Sequence, residues 1–266
     1  MGFFEEMNRA IARDAARRGV RASADELQAF FGTVQSVPPA APLPEPVPDC
    51  SNLNPPGAVD ALLEDAMVEV NAERNIPQVA DCSTMDWQVL RETVLACRNC
   101  PLAAGRMNAV FGEGNRQARL MFIGEGPGAD EDATGRPFVG AAGQLLDKMI
   151  NAMHLQREEV YIGNIVKCRP PGNRMPGEEE AAACIGYLQR QIELIKPEVI
   201  VLLGGTALHF LLGIDGISRC RGRWHEYNNI SVMPTFHPAF LLRKPEAKRD
   251  AWNDLKAVMK KLNIPV

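Results

Sequence analysis

The sequence lacks a long hydrophobic run: no stretch approaches the roughly 18 consecutive apolar residues that a membrane-spanning helix requires. It also lacks an acid-poor N-terminus, because Glu5, Glu6 and Asp14 are interspersed with arginines there, unlike in a secretory signal or a transit peptide. We therefore expect no membrane association and a cytoplasmic location.

Positive charge is in short supply overall. The chain has 29 Lys and Arg against 33 Asp and Glu, a net charge of -4, which disfavours nucleic acid as a partner because phosphate binding depends on cationic side chains. The cations are nevertheless unevenly distributed, and many fall near the C-terminus: Arg219, Arg221, Arg223, Arg243, Lys244, Lys248 and Arg249. The sequence is therefore still compatible with a basic face on an acidic protein.

Residues 1–82 have the composition of an extension rather than of a folded domain. Phe4, Met7 and Ile11 fall at helical spacing and predict one short amphipathic helix. Residues 36–56 contain eight prolines, a density that excludes helix and central strand and is typical of an extended linker. We expect this extension to be largely disordered and to offer a site for an unidentified protein partner.

Residues 83–266 carry the pattern of a globular α/β domain. Apolar runs predict strands at 120–123, 160–166, 199–203 and 230–235, and helical patterns lie between and after them at 142–153, 178–195, 206–212 and 246–262. This alternation predicts a three-layer α/β/α fold with a central, mainly parallel sheet of four strands. Ligands of such sheets bind beyond the carboxyl ends of the strands, so the residues that follow each strand are the candidates for function.

Seven cysteines are an odd number, and a cytoplasmic chain of this size rarely depends on disulfides, so patterned cysteines favour metal or redox chemistry. Cys97 and Cys100 form a C-x-x-C followed by proline, which alone fits a redox pair, half of a zinc site or half of an iron-sulfur site. Cys168 and Cys184 are separated by fifteen residues, and the second C-x-x-C that a zinc ribbon needs is absent. Spacing suits four thiolates around an iron-sulfur cluster but fits ordinary thiols equally well. The other three are expected to be ordinary thiols: Cys50, Cys82 and Cys220.

A glycine-rich, acidic loop follows the first predicted strand, with GEGPGADED at 124–132 and GRPFVG at 135–140. Gly124, Gly126 and Ala129 satisfy the G-x-G-x-x-A pattern of dinucleotide-binding folds. We reject that interpretation because Pro127 removes an amide donor that a pyrophosphate would need, and four carboxylates in the loop repel phosphate. Phe138 is either a core side chain or a surface for a flat ligand.

Two further strand ends carry polar side chains. Asn164 lies in GNIVKCRPPGNR at 163–174, and its amide offers both a donor and an acceptor, which suits the edge of a pyrimidine. His237 lies in TFHPAFLLR at 235–243, where it leaves a strand at the ligand-binding end and is followed by proline. A lone histidine is more often structural than catalytic, so its role is a hypothesis at this point.

Together these segments resemble family 4 of the uracil-DNA glycosylases, whose members carry a [4Fe-4S] cluster. The resemblance covers the chain from Cys97 to Leu262 and rests on three ordered motifs with four cysteines in register. It implies a monomeric enzyme that hydrolyses the N-glycosidic bond of uracil in single- or double-stranded DNA, in the base excision repair of deaminated cytosine.

The resemblance also implies roles for residues of this chain. Phe138 stacks on the flipped uracil, Asn164 reads its polar edge, and His237 hydrogen-bonds the O2 atom as negative charge develops there. The remaining positions are the polar residues linked to catalysis, Glu125 and Asn173; the pocket residues, Gly126 and Glu131; the cluster ligands, Cys97, Cys100, Cys168 and Cys184; and the loop that presses into the DNA minor groove, Ala239, Phe240, Leu241 and Arg243.

Two positions of the loop after the first strand bear on water activation and on selectivity. Gly126 stands where the best-known glycosylase branch has an aspartate, which leaves Glu125 to activate or position water. Glu131 is the candidate wall that excludes the methyl group of thymine.

A covalent uracil-binding branch of the superfamily has a basic, histidine-containing insertion after the second motif. In this chain the corresponding segment, 171–176, is short and lacks histidine, which predicts turnover. The cluster is expected to be a structural staple rather than a redox sensor.

Two alternative functions compete with the glycosylase interpretation. The first is a non-catalytic iron-sulfur protein that binds DNA or nucleotides as a module of a replication or repair complex; intact Asn164 and His237 argue against it. The second is a dinucleotide-binding oxidoreductase, which the acidic loop after the first strand disfavours.

Overall fold

A six-stranded sheet organises the part of the chain that the structure, a computed structural model, describes: residues 82–265. The predicted N-terminal helix, the proline-rich linker and Cys50 lie outside that range. The strands are β1 (Glu113–Gly114), β2 (Leu120–Gly124), β3 (Tyr161–Asn164), β4 (Val199–Leu203), β5 (His225–Tyr227) and β6 (Ile230–Thr235). Their order across the sheet is β1-β3-β2-β4-β6-β5.

The four predicted strands are the parallel centre of this sheet. Strand β2 pairs in parallel with both β3 and β4, and β4 pairs in parallel with β6. The α/β class is therefore confirmed, but the predicted count of four strands is wrong because two short antiparallel strands, β1 and β5, close the edges. These strands are only two and three residues long and partly exposed, so they leave no apolar run in the sequence to reveal them.

Helices separate and flank the strands: α1 (Trp87–Ala96), α2 (Leu102–Gly105), α3 (Ala129–Thr134), α4 (Ala141–Ala152), α5 (Glu178–Ile195), α6 (Gly205–Leu212), α7 (Ile217–Cys220), α8 (Pro238–Arg243) and α9 (Lys248–Lys261). Short 3-10 turns lie at Arg157–Glu159, Pro171–Asn173 and Pro245–Ala247. Helix α1 begins where the side chain of Asp86 accepts a hydrogen bond from the N–H of Val89, at 2.9 Å. None of the described helices is long and apolar enough to cross a membrane.

The alternation of side chains along the strands divides the core between the two faces of the sheet. Met121 and Ile123 of β2 join a buried cluster that includes residues of α1, α5 and α6. Leu120 and Phe122, which point the other way, are equally buried. Helices α4, α8 and α9 pack together around a small apolar space outside that cluster. Both faces of the sheet are thus covered, as a parallel sheet requires.

The carboxyl ends of the four parallel strands lie at one edge of the sheet because all four run in the same direction. They end at Gly124, Asn164, Leu203 and Thr235. Strand β3 stops earlier than predicted, but the chain continues beside β2, because the N–H of Val166 donates to the carbonyl of Glu125 at 3.1 Å. The motifs found in the sequence therefore converge on this edge.

Candidate active site and cysteine centre

A cleft of about 440 Å³ opens at the carboxyl edge of the sheet. Its lining comes from the segments after β2, β3 and β6 and from the start of α4: Glu125, Gly126, Pro127, Gly128, Glu131, Phe138, Ala142, Asn164, Pro170, Asn173, Arg174, His237, Ala239, Phe240 and Arg243. Every residue predicted for base binding or catalysis is among them. Segments far apart in sequence thus form one site.

The ring of Phe138 lies across the end of β2. Its backbone has a φ of +50°, an uncommon value for a residue with a side chain, and the ring is almost completely buried. A Cβ added to Gly124 would lie 2.5 Å from Cζ of Phe138 and 2.6 Å from Oδ1 of Asn164. Glycine is therefore required here so that the ring and the amide can both approach the strand end.

The amide of Asn164 is buried beside this ring. The residue is 2% exposed, and its Oδ1 makes no hydrogen bond to any residue in 82–265. A buried acceptor without a donor costs free energy, on the order of 1–3 kcal/mol. A ligand N–H at the floor of the cleft would remove that cost, and a pyrimidine such as uracil carries one at N3.

His237 also lines the cleft, and its side chain caps the start of helix α8. Its Nδ1 accepts a hydrogen bond from the N–H of Ala239, at 3.1 Å, so in the neutral ring the proton sits on Nε2. Burial, with a contribution from Arg243, lowers the pKa of His237 to about 4, although the charge of Glu131 opposes the shift. The imidazole is therefore a neutral hydrogen-bond donor at physiological pH.

The rings of His237 and Phe138 lie near one another, with centroids 5.6 Å apart and planes inclined by 32°. Gly204, at the start of α6, packs against His237: a Cβ there would lie 3.1 Å from the histidine Cβ, and its φ is +92°. The turn between β4 and α6 therefore supports the histidine from behind, which sequence reasoning did not foresee.

Glu125 follows β2 directly and lines the cleft. Its Oε2 accepts a hydrogen bond from the hydroxyl of Thr206, at 2.5 Å. Gly126 leaves the neighbouring position without a side chain, and a Cβ there would lie 2.7 Å from a methyl carbon of Val166. Glu125 is therefore the carboxylate beside the strand end, and Thr206 is a partner that the sequence motifs did not reveal.

The carboxylate of Glu131 lines the cleft but is also held by the backbone. One oxygen accepts hydrogen bonds from the N–H groups of Val139 and Gly140, at 2.8 and 3.0 Å, and the other from Gly128, at 3.0 Å. Charge-assisted bonds of this kind are stronger than neutral ones. Glu131 therefore ties the loop that carries Phe138 to the loop after β2, a bracing contact that the sequence did not indicate.

Asn173 lies at the rim of the cleft in a left-handed conformation, with a φ of +55°. Its Oδ1 accepts a hydrogen bond from Nε of Arg169, at 2.8 Å. Arg174 next to it forms an ion pair with Glu180 at 2.6 Å, at the start of α5. These contacts order the segment after β3.

The segment predicted to contact DNA forms helix α8, and only some of its residues line the cleft. Ala239, Phe240 and Arg243 line the cleft, but Leu241 is 1% exposed and belongs to the core. Leu241, which was predicted to contact DNA, is not at the surface of the free protein, because the helical turn points its side chain inward. Leu242 is 45% exposed and is the leucine of this helix that faces outward.

Two of the four patterned cysteines, Cys168 and Cys184, belong to the buried cluster that includes residues of α1, α5 and α6, and Cys97 and Cys100 pack against that cluster. Burial raises the pKa of Cys184 to about 12 and also raises those of Cys168 and Cys100. Each of these pKa values is raised further by the charge of other cysteines in the set, including Cys97. As thiolates these side chains would repel one another unless a cation lay between them.

Within residues 82–265, no three His, Cys, Asp or Glu side chains are arranged to hold a single metal ion. A cluster of several iron atoms spreads its four thiolates more widely than one tetrahedral ion does, so four thiols of which Cys168 and Cys184 are buried and Cys97 and Cys100 partly buried fit a cluster. By contrast, Cys82 is buried in the core and Cys220 lies on the short helix α7.

Hydrogen bonds already point at these sulfur atoms. A guanidinium N–H of Arg106 donates to Sγ of Cys168 at 2.9 Å, and the backbone N–H of Lys167 donates to Sγ of Cys184 at 3.3 Å. Hydrogen-bond donors to sulfur are typical of iron-sulfur sites, where they tune the reduction potential of the cluster.

Lys167 joins the cysteine group to the cleft. Its buried ammonium donates to the carbonyl of Asn164 at 3.0 Å and to Oε1 of Gln191 at 2.7 Å, and burial lowers its pKa to about 8. The amide of Gln191 in turn donates to the hydroxyl of Tyr161 and the carbonyl of Phe111. Sequence reasoning missed this network because a lysine inside an apolar run carries no sign of its partners.

Known proteins resemble this chain over the same region. Residues 111–256 match the model of the uracil DNA glycosylase superfamily. The chain is 51% identical over 161 residues to a type-4 uracil-DNA glycosylase of Thermotoga maritima, a match that covers 59% of this chain and 83% of that protein. It is 43% identical over 185 residues to a type-4 uracil-DNA glycosylase of Saccharolobus solfataricus, covering 66% and 86%. A type-5 uracil-DNA glycosylase of Pyrobaculum aerophilum is 32% identical over 144 residues, covering 47% and 63%.

Proposed function

The chain belongs to the uracil DNA glycosylase superfamily, and within it to family 4; from this premise we propose how its cleft excises uracil. The protein is a uracil-DNA glycosylase, a hydrolase of DNA repair that acts on DNA. The main support for a uracil pocket is the buried Oδ1 of Asn164, which lies beside the ring of Phe138 and accepts no hydrogen bond from residues 82–265. A uracil extruded from the DNA double helix matches both features, since its N3–H faces Oδ1 of Asn164 and its flat ring lies against Phe138.

Binding the flipped base replaces stacking that is lost in DNA. Extrusion costs a few kcal/mol, and stacking on an aromatic side chain returns roughly 1–3 kcal/mol per base. Asn164 supplies selectivity, because the matching edge of cytosine presents an acceptor where uracil presents N3–H, so that its Oδ1 would remain unpaired. The bracing of the Phe138 loop by Glu131 keeps the pocket narrow, in support of its proposed part in excluding thymine.

The bond from C1′ to N1 breaks with its electron pair moving into uracil, and negative charge accumulates on the base. We assign the donor that stabilises this charge at O2 to Nε2–H of His237, which is neutral and oriented by Ala239. A positioned donor of this kind contributes on the order of 2.7–4 kcal/mol to the rate. Water then adds its oxygen to C1′ and its proton to the departing base, with Glu125 as the side chain that holds the water.

Cys97, Cys100, Cys168 and Cys184 are the proposed ligands of a [4Fe-4S] cluster, which when bound cross-links the segment after α1, the segment after β3 and helix α5. We assign it a structural role, because these residues belong to or pack against the buried core cluster and do not line the cleft. We propose that the enzyme acts as a monomer.

Excision is tested with purified protein, an oligonucleotide containing one uracil and a thymine control, followed by alkali to cleave any abasic site. We expect uracil-dependent cleavage that His237→Ala slows by about 10²–10³-fold. His209→Ala is the matched control, because His209 is on α6 at the surface and pairs with Asp215 and Glu178, outside the cleft. If iron-containing wild-type protein leaves uracil in place, the glycosylase function is refuted and a binding module becomes the better interpretation.

A further inference from the structure

Thr206 lies on α6 and belongs to none of the motifs that identify the family. It is the second residue of the helix and is only 9% exposed. Its hydroxyl donates to Oε2 of Glu125 across 81 positions of sequence, at 2.5 Å. Within residues 82–265, this is the sole hydrogen bond to the Glu125 carboxylate. The other oxygen, Oε1, is therefore left for a water in the cleft.

A glutamate beside the cleft needs such a restraint. The side chain has several rotatable bonds, and a water held by a mobile carboxylate is poorly aligned for attack on C1′; displacements of about 1 Å can cost 10²-fold in rate. A hydrogen bond to a carboxylate is stronger than one between neutral groups, so it favours one rotamer of the side chain. The fold positions Thr206 itself, because the residue is buried in the first turn of a helix that follows a central strand.

We propose that Thr206 is a positioning residue for the hydrolytic step: it fixes the carboxylate of Glu125 so that the second oxygen orients the attacking water. The same turn supports His237 through Gly204. The β4–α6 turn therefore aligns the group that holds water and the group that stabilises the leaving base. This inference rests on the proposed function, and in particular on the role of Glu125.

A double-mutant cycle separates positioning from a merely structural role. The proteins are wild type, Thr206→Val, Glu125→Ala and the double variant, and single-turnover excision of uracil is measured with enzyme in excess. Valine has the shape of threonine without the hydroxyl. We expect Thr206→Val to slow excision about tenfold, which corresponds to 1.4 kcal/mol, with the dissociation constant for uracil-containing DNA unchanged.

In the Glu125→Ala background, the Thr206→Val change should add no further loss, because the hydroxyl then has no carboxylate to hold. Thr206→Ser retains the donor and should restore the rate to within about threefold of wild type. Thr93→Val is the matched control for the substitution, because Thr93 is on α1 and bonds only a backbone carbonyl of its own helix, at 2.8 Å.

Each contrary result identifies what has failed. An equal loss from Thr206→Val in both backgrounds means that Thr206 acts through the fold, and the inference is overturned while the glycosylase function stands. A Glu125→Ala variant as fast as wild type overturns the inference by removing the role of Glu125. Failure of the wild type to excise uracil refutes the proposed function itself.

Discussion

The backbone N–H of Ala239 donates a hydrogen bond to Nδ1 of His237, at 3.1 Å. Because Nδ1 is occupied as an acceptor, protonation of the ring would place an N–H against an N–H and convert an attraction into a repulsion. The start of a helix also disfavours positive charge. Local geometry thus agrees with the lowered pKa of His237 and keeps its Nε2–H available to the cleft.

The lowered pKa of His237 predicts how stability depends on pH. The unfolded chain takes up a proton at this position near pH 6.5, whereas the folded protein does so only near pH 4. The unfolded state therefore binds more protons in this window, and the free energy of unfolding falls as the pH is lowered through it, by about 1–2 kcal/mol at pH 5.

Replacement by a group that does not titrate, His237→Gln, should remove that part of the pH dependence. The measurement is urea unfolding of wild type and variant at pH 7.5, 6 and 5. Parallel pH profiles for the two proteins would show that the histidine has an ordinary pKa in the folded state.

Gly124→Ala should abolish uracil excision while leaving the fold intact. The added methyl group would clash with the ring of Phe138 and the amide of Asn164, at 2.5 and 2.6 Å, and so block the floor of the pocket. Gly105→Ala is the control, because a Cβ there meets nothing within 4 Å. Excision kinetics and circular dichroism test this; normal excision by Gly124→Ala would mean that the base lies elsewhere.

Cys184→Ser should lose iron and lower the midpoint of thermal unfolding by several degrees, because the segment after β3 and helix α5 would lose a shared attachment. Cys220→Ser on α7 should keep both properties of wild type. Iron content, the absorption of the cluster and thermal denaturation of protein purified without oxygen give the comparison. Equal iron in the two variants would exclude Cys184 as a ligand.

Lys167→Met should weaken uracil binding and lower the free energy of unfolding by about 1–3 kcal/mol, since the carbonyl of Asn164 and Oε1 of Gln191 would lose their buried donor. Lys260→Met, at an exposed position of α9, is the matched control. Binding of uracil-containing DNA and chemical denaturation provide the two readouts. Unchanged binding would confine Lys167 to a role in stability.

The amino-acid sequence by itself determined the parallel centre of the fold and the membership of the family. Apolar runs and helical periodicity are local signals, recorded in neighbouring residues, so the four central strands were predicted close to their observed positions. The motifs at the strand ends could also be identified from the sequence, because the residues that follow parallel strands lie at one edge of the sheet.

Only the tertiary structure decided which side chains support that edge. The contact between Thr206 and Glu125 joins segments 81 positions apart, and the orientation of Lys167, in the segment after β3, depends on Gln191 of helix α5. Likewise, Leu241 and not Leu242 faces the core because of how α8 packs. Such relationships arise from the packing of distant segments, and no local pattern in the chain records them.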